Sequence, residues 1–364
     1  MIKAAANNKL EPARKDCTQV SIHLSEQPEA SRAALLRALA QGHLPGKWLY
    51  QSPAQAALWL AYHQAFSPSR SNAHVTSGYR EVFDLAAREF TAEAVQVVGL
   101  GSGGGQKDAL LLGALRERSG YWRPGLYYVP VDASVPLTLE SAARVNREHP
   151  TVTVSPLALD LENIMGFEPA AQSAEDWLDD WLDNAAPEGA GRLISCLGML
   201  PNLDPERFPR WLAARLKEKA GPERRLILSA NLSPGGLAAD RERILAQYDN
   251  PPARRWYAGA LAELGLGPER YRLEIATRPL AGGRSETAED DAWQIEVLAR
   301  FDADHTLDLF GAQVSIKAGR PLRVFFSNRF SRRGLVHRLE HAGLTIQAFR
   351  EFAGGEEGVL LCRI

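Results

Sequence analysis

Three features of this chain have the residue types and spacing to bind a nucleoside. The first is a glycine turn, Gly99-Leu-Gly101-Ser102-Gly103-Gly104-Gly105, with Lys107 just beyond it. Glycines let the backbone approach a ligand, because a Cβ would hold it away. Gly99, Gly101 and Gly104 satisfy G-x-G-x-x-G, a pattern that many loops share without binding anything. The second feature is Asp132, which ends Tyr127-Tyr-Val-Pro-Val-Asp132. An ionised carboxylate only accepts hydrogen bonds, and a ribose diol offers two donors. Asp132 lies farther from the glycines than the roughly 20 residues of a dinucleotide fingerprint. The third is Asp160, in Asp160-Leu-Glu162, placed to accept from an adenine amino group. Each acid has a plainer reading as a helix N-cap. A cation at Lys107 opposes the helix dipole, at a cost of about a few tenths of a kcal/mol. A ligand carboxylate would offset that cost, and without one Lys107 reads as a lysine turned to solvent.

The elements that must position these residues follow from apolar periodicity. Strands are expected at 95–98, 126–131, 152–158, 192–197 and 225–230. Helices are expected between and after them at 107–119, 137–148, 174–184, 205–220 and 235–248. Such alternation predicts a parallel sheet with helices on both faces. Upstream, residues 1–16 read as a loose polar arm, 17–24 as a short strand, and 26–40, 55–64 and 75–89 as helices. Residues 66–70 read as a turn. After Tyr248 the alternation stops. A helix at 253–264 and strands at 271–277, 293–301 and 313–316, with a polar connection at 282–291, suggest a second, α+β unit. The chain then returns to the first unit with a helix from Ser331 or Arg332 to Gly343, and strands at 344–349 and 358–364 joined through Gly354-Gly355.

Composition narrows the class. The chain has 364 residues, 45% hydrophobic and 24% charged, which suits a soluble globular protein of two domains. Lys plus Arg is 42 and Asp plus Glu is 44, a net charge of −2 that argues against nucleic acid or an anionic membrane as partner. The densest basic run, Arg329, Arg332 and Arg333, reads as a solvated helix start. Cys17, Cys196 and Cys362 are an odd, widely spaced set with no CxxC, so neither a disulfide framework nor a zinc site is expected. Cys196 and Cys362 read as small core residues. His337 and His341 are four apart on a helix but lack a third ligand nearby, and no metal is expected. No apolar signal core and no run near the roughly 18 residues of a membrane helix is visible, so a cytoplasmic protein is expected.

Assembled in order, these pieces resemble a known family, the S-adenosylmethionine-dependent L-histidine Nα-methyltransferases of ergothioneine biosynthesis. Leu44-Pro-Gly-Lys-Trp-Leu-Tyr50 is similar to that family's LPPKWFYD, and Leu100-Gly-Ser-Gly103 with Lys107 to its ELGSG…K. Val129-Pro-Val-Asp132, Leu197-Gly198…Asn202-Leu-Asp-Pro205 and Gln247-Tyr248-Asp249 match in place. Arg323…Phe326-Ser327-Asn328-Arg329-Phe330 stands where the family has RTE-x-S-x-K-F. The resemblance implies an α/β class I methyltransferase (Rossmann-like) sheet with a final antiparallel strand, plus an α+β substrate-recognition domain. The first comprises 75–235 and 330–364, the second 17–74 and 236–329. It also implies S-adenosylmethionine as cofactor, held by Tyr50, Gly101, Ser102, Gly103, Lys107, Asp132 and Asp160. The partner it implies is a small-molecule amino acid or amine, bound by a monomer at Phe66, Asn202, Tyr248, Val297, Phe325 and Ser327.

Several of these positions depart from the family. Gly99 replaces the acid of ELGSG, Phe66 replaces a tyrosine, and the loop from Gly198 to Asn202 is one residue shorter. Phe325 stands where the family has the glutamate that grips imidazole, Ser327 is retained, and Val297 replaces a larger methionine. A phenylalanine accepts no hydrogen bond, and losing a charge-assisted bond costs on the order of 1.5–3 kcal/mol. The expectation is therefore methylation of the α-amine of an amino acid other than histidine, with an aromatic or apolar side chain. The alternatives are histidine itself, a non-catalytic S-adenosylmethionine-binding relative, and an NAD(P)-dependent oxidoreductase on the same glycine fingerprint.

Overall fold

The computed structural model describes residues 18–66, 73–118, 124–166, 172–217, 223–234, 238–280 and 292–363. The expected arm at 1–16, Cys17, the turn at 67–70, Gly235, the connection at 282–291 and Ile364 lie outside them.

Strands covered on both faces need no polar alternation, and the central strands are continuous apolar runs. They are β2 (Ala94–Leu100), β3 (Gly125–Asp132), β6 (Gly191–Leu197) and β7 (Arg224–Asn231). Beside β3 lie β4 (Thr153–Val154) and β5 (Leu157–Ala158). These two replace the single strand expected at 152–158, because Pro156 between them has no N–H to give the ladder. The sheet runs β1-β5-β3-β2-β6-β7-β14-β13, where β1 is Ser21–Ile22, β13 is Thr345–Phe352 and β14 is Glu357–Arg363. All pairs are parallel except β14, which runs antiparallel to both β7 and β13. The short β1 thus extends the main sheet, although the sequence grouped residues 17–74 with the second unit.

Helices α3 (Ala73–Arg88), α4 (Gln106–Glu117), α5 (Val135–Glu148), α6 (Leu161–Gly166), α7 (Gln172–Asn184), α8 (Arg207–Lys217) and α11 (Arg332–His341) accompany this sheet. Cys196 and Cys362 are free and fully buried in it. Strand order reverses between β2 and β6, so their carboxyl ends open a crevice at a topological switch point, where ligands bind in open α/β sheets.

The second unit is built from both sides of that sheet in sequence. Helices α1 (Pro28–Ala40) and α2 (Pro53–Phe66) precede it, and α9 (Ala238–Tyr248) and α10 (Pro251–Glu263) follow β7. Next come β8 (Arg272–Pro279), β9 (Trp293–Arg300), the hairpin β10 (His305–Leu309) and β11 (Ala312–Ile316), and β12 (Leu322–Arg329). Strands β12-β9-β8 form an antiparallel sheet. One core joins Leu35 and Leu49 from the N-terminal segment to Trp256, Tyr257, Val297 and Val324 from the insertion. Strand β12 was not expected, because Ser327, Asn328 and Arg329 are all buried and break the apolar alternation. Strand β10 was also missed. Among the described residues no helix is long and apolar enough to cross a membrane.

Candidate active site

The carboxyl end of β2 turns through Gly101 (φ 62°), Gly103 (φ 52°) and Gly105 (φ 69°) before α4 begins. The left-handed conformation favours glycine, and packing enforces it. A Cβ on Gly103 would lie 2.7 Å from the Trp59 ring of α2, and one on Gly105 would lie 2.8 Å from the Ser141 backbone. The loop lines a cavity of about 320 Å³, and Ser102 Oγ is buried there with no hydrogen-bond partner. An orphaned hydroxyl on a glycine cradle is a fit for a ligand that comes close to the backbone. Of the cofactor and substrate residues expected from the sequence, all but Val297 line this one cavity.

Asp132 and Asp160 have separated roles. Asp132 Oδ2 accepts from Gly103 N–H (3.0 Å) and Oδ1 from Ser134 N–H (2.9 Å), so the carboxylate ties the glycine loop to the end of β3. The N-cap of α5 is Ser134, whose Oγ accepts from Leu137 N–H, so the capping alternative for Asp132 does not hold. Burial pushes the Asp132 carboxyl up to about 6, against the two N–H donors that lower it. Asp160 does cap a helix: Oδ1 accepts from Asn163 N–H at 2.9 Å, while Oδ2 pairs with Lys47 Nζ at 3.0 Å.

Lys107 is not turned to solvent. Its Nζ donates to Tyr79 Oη at 2.7 Å and pairs with Glu357 Oε1 at 3.3 Å, and it stands over the Tyr79 ring. The helix-dipole cost is met by an acid from β14, 250 residues away in sequence.

At the other end of the cavity the second unit closes over the sheet. Tyr248 Oη donates to Ser327 Oγ (3.2 Å), and Asn231 Nδ2 donates to Ser327 Oγ (3.1 Å) and Tyr248 Oη (3.4 Å). Arg329 is 3% exposed, with Nη1 donating to the Leu232 and Glu356 carbonyls and Nη2 to Tyr248 Oη. The reading of Arg329 as part of a solvated run is therefore wrong. Phe325 packs against Trp256 (ring centroids 5.5 Å), Tyr257 (5.8 Å) and Tyr248 (6.1 Å). Phe66 lies at the rim, 36% exposed, against Tyr62. Asn202 sits in a 3₁₀ turn, Leu200–Asn202, and the shortened loop still delivers it to the cavity wall. Tyr50 is held between Trp59 and Trp256.

Val297 departs from expectation. It is opposite Phe325 in the β9–β12 register but fully buried and outside the cavity lining, so its smaller size does not enlarge the cavity directly. Sequence reasoning missed Lys47, Tyr62, Asn231, Trp256, Arg329, Glu356 and Glu357, all of which line the cavity. Only Asn231 carried a usable signal, as the last residue of a parallel strand at the ligand-binding edge.

A family model described as "Histidine-specific methyltransferase, SAM-dependent" matches residues 31–363. A Histidine N-alpha-methyltransferase of Mycobacterium tuberculosis (strain CDC 1551 / Oshkosh) is 26% identical over 240 residues, 64% of this chain and 64% of that relative. The matched chain thus spans less than two thirds of the relative's length. Among solved structures, the glycopeptide N-methyltransferase MtfA with S-adenosyl-L-methionine aligns with TM-score 0.35 and 14% identity, over 79% of this chain and 94% of that one. The 1,6-didemethyltoxoflavin-N1-methyltransferase of Burkholderia thailandensis aligns with TM-score 0.38 and 14% identity, over 86% and 90%.

Proposed function

We propose, on the premise that the chain belongs to the histidine-specific, S-adenosylmethionine-dependent methyltransferase family, that it methylates the α-amine of a small amino acid-like substrate with an aromatic or apolar side chain. Family membership removes the oxidoreductase alternative. Phe325 carries the substrate reading. A ring packed among Trp256, Tyr257 and Tyr248 stands where the resembled family has an imidazole-gripping glutamate. An apolar wall with a few convergent polar groups suits an aromatic or aliphatic group better than a charged or N–H-rich one. Methylation of histidine itself is the second reading, favoured by the family's description and by the mycobacterial relative.

When bound, S-adenosylmethionine supplies a methyl group on a sulfonium. The chain's own contribution is positioning. Tyr248 Oη and the Asn202 amide hold the amino acid's amine and carboxylate, since phenol and amide each both donate and accept. The Tyr248 proton goes to Ser327 and its lone pairs accept from Asn231 and Arg329 at 3.4 Å, so a bound amino acid takes the place of one of these long bonds. Asp132 takes the ribose diol, and Trp59, Tyr62 and Trp256 exclude water from the amine.

A panel of free amino acids incubated with S-adenosylmethionine and read by mass spectrometry tests the substrate. Methylated aromatic or aliphatic amino acids are expected in excess of methylated histidine; preferential methylation of histidine would overturn the reading.

Cofactor affinity should depend on pH through Asp132, which must be ionised to accept from both ribose hydroxyls. Below about 6 the carboxyl holds a proton. Calorimetric affinity for S-adenosylhomocysteine should then fall by about tenfold per pH unit. The ligand-free fold should respond with the opposite sign. A carboxyl raised in the folded state from its ordinary 3.8 to about 6 adds stability at low pH and loses it as pH rises through that window. A flat affinity between pH 7 and 5 would remove Asp132 from the ribose site.

A further inference from the structure

We propose that Asp108 supplies, from the first turn of α4, the carboxylate that the resembled family carries at position 99 of β2, and that it receives the cationic amino-acid end of the cofactor. Gly99 is a glycine without left-handed backbone, so conformation does not demand it. Space does. A Cβ built there would lie 2.5 Å from Asp108 Oδ2, 3.1 Å from Asp108 Cγ and 3.1 Å from Tyr128 Oη. The volume vacated at position 99 is filled by the Asp108 carboxylate.

That carboxylate is 4% exposed and borders the same cavity as the glycine loop. Ser195 Oγ of β6 donates to Oδ1 at 2.6 Å, and Tyr128 Oη of β3 donates to Oδ2 at 2.7 Å. Tyr128 Oη is in turn 2.8 Å from Ser141 Oγ of α5. Three elements therefore fix its orientation. A helical side chain leans toward the helix N-terminus, which here turns Asp108 back to the end of β2. Among the described residues no salt bridge reaches Asp108. Burial pushes its carboxyl up, against the pull of the Ser195 and Tyr128 hydroxyls and, more weakly, of Lys107 through space. Two hydroxyl donors leave lone pairs on both oxygens, and a neutral acceptor would satisfy those hydroxyls at lower desolvation cost. A buried carboxyl with no paired cation, bordering a cavity, is matched by a ligand that brings one. S-adenosylmethionine brings an alkylammonium as well as its sulfonium. The inference rests on the cofactor assignment above but not on the identity of the methyl acceptor.

The test compares two nucleosides. S-adenosylhomocysteine carries the ammonium, and 5′-methylthioadenosine lacks the amino-acid end altogether. For Asp108→Asn, calorimetry should show S-adenosylhomocysteine weakened by roughly tenfold or more, as for loss of a charged hydrogen bond, with 5′-methylthioadenosine unchanged. A structural role alone would weaken both alike, and an unchanged ratio overturns the proposal. Gly99→Glu alone should lower the melting temperature of the ligand-free protein through collision with Asp108. Combining it with Asp108→Ala should restore the fold and return S-adenosylhomocysteine affinity to within about threefold of wild type. Failure of that pair to recover affinity while folded also counts against it. Wild type that binds neither nucleoside sinks the cofactor assignment instead, so the two failures are distinct.

Discussion

Replacing Lys47 by methionine is expected to destabilise the protein by about 3–5 kcal/mol, the cost of removing one partner from a buried ion pair. Lys47 lies in the 3₁₀ turn Gly46–Leu49, and its side chain is 2% exposed. Its ammonium has three donors, and three acceptors surround it: Ser31 Oγ at 2.9 Å, Asp160 Oδ2 at 3.0 Å and Glu26 Oε1 at 3.4 Å. Ser31 belongs to α1, Glu26 to the segment after β1, and Asp160 to the start of α6. One side chain thus pins the N-terminal segment to the cofactor sheet. Methionine matches the stem but leaves the buried Asp160 carboxylate without its cation and Ser31 and Glu26 without their donor. A fall in melting temperature on the order of 10 °C should follow, read by calorimetry or circular dichroism.

The companion variant Glu26→Gln should cost far less, within about 1 kcal/mol. Burial pushes Glu26 up to about 8, past the pull of Lys47, so it is neutral at pH 7 and glutamine imitates it. Its contribution to stability is complete below its ordinary 4.5 and is lost as pH rises through about 8. Wild type should therefore lose stability between pH 5 and 9, and the glutamine variant should lose less. A Lys47→Met protein that melts with wild type would show that the cluster does not hold the two units together.

What the sequence made legible divides along contact range. The strands of the main sheet could be read because both faces are buried and local apolar runs reveal them. The glycine turn, Asp132 and Asp160 could be placed at the cavity because crevices open where parallel strands end, a rule of position along the chain. Lys107 and Arg329 were misread for one reason. Local pattern shows a cation near a helix, but not that Glu357 of β14 meets the first, or that the Leu232 and Glu356 carbonyls meet the second. Asp108 was invisible for the same reason. Its meaning depends on Gly99, Tyr128 and Ser195, each on a different strand. Val297 failed through packing depth. Its register partner is Phe325, as a pocket neighbour would be, but its own side chain is buried in the second unit's core and does not line the cavity.

Phe325→Glu should invert the choice of substrate. In the wild type the Phe325 ring fills a box made by Trp256, Tyr257 and Tyr248. Removing it takes away apolar contact worth about 1.5–3 kcal/mol for a buried ring, so kcat/KM for the best apolar substrate should fall by roughly 10- to 150-fold. The introduced carboxylate finds one ready donor, since the Tyr257 hydroxyl is buried without a partner. Imidazole N–H groups from histidine supply the remainder, a charge-assisted bond worth about 1.5–3 kcal/mol. Loss on one substrate and gain on the other multiply in the ratio. The preference for histidine over the apolar substrate should therefore rise by on the order of 10³-fold. The measurement is that ratio of kcat/KM in variant and wild type, with the melting temperature followed alongside, because the empty variant holds a carboxylate in an aromatic box and should be less stable. Histidine added to the variant should recover part of the lost stability, while the apolar substrate should not. A ratio that stays at the wild-type value in a folded variant would mean that Phe325 is wall without selectivity, and that the acceptor is chosen by the polar cluster of Asn231, Tyr248, Ser327 and Arg329 behind it.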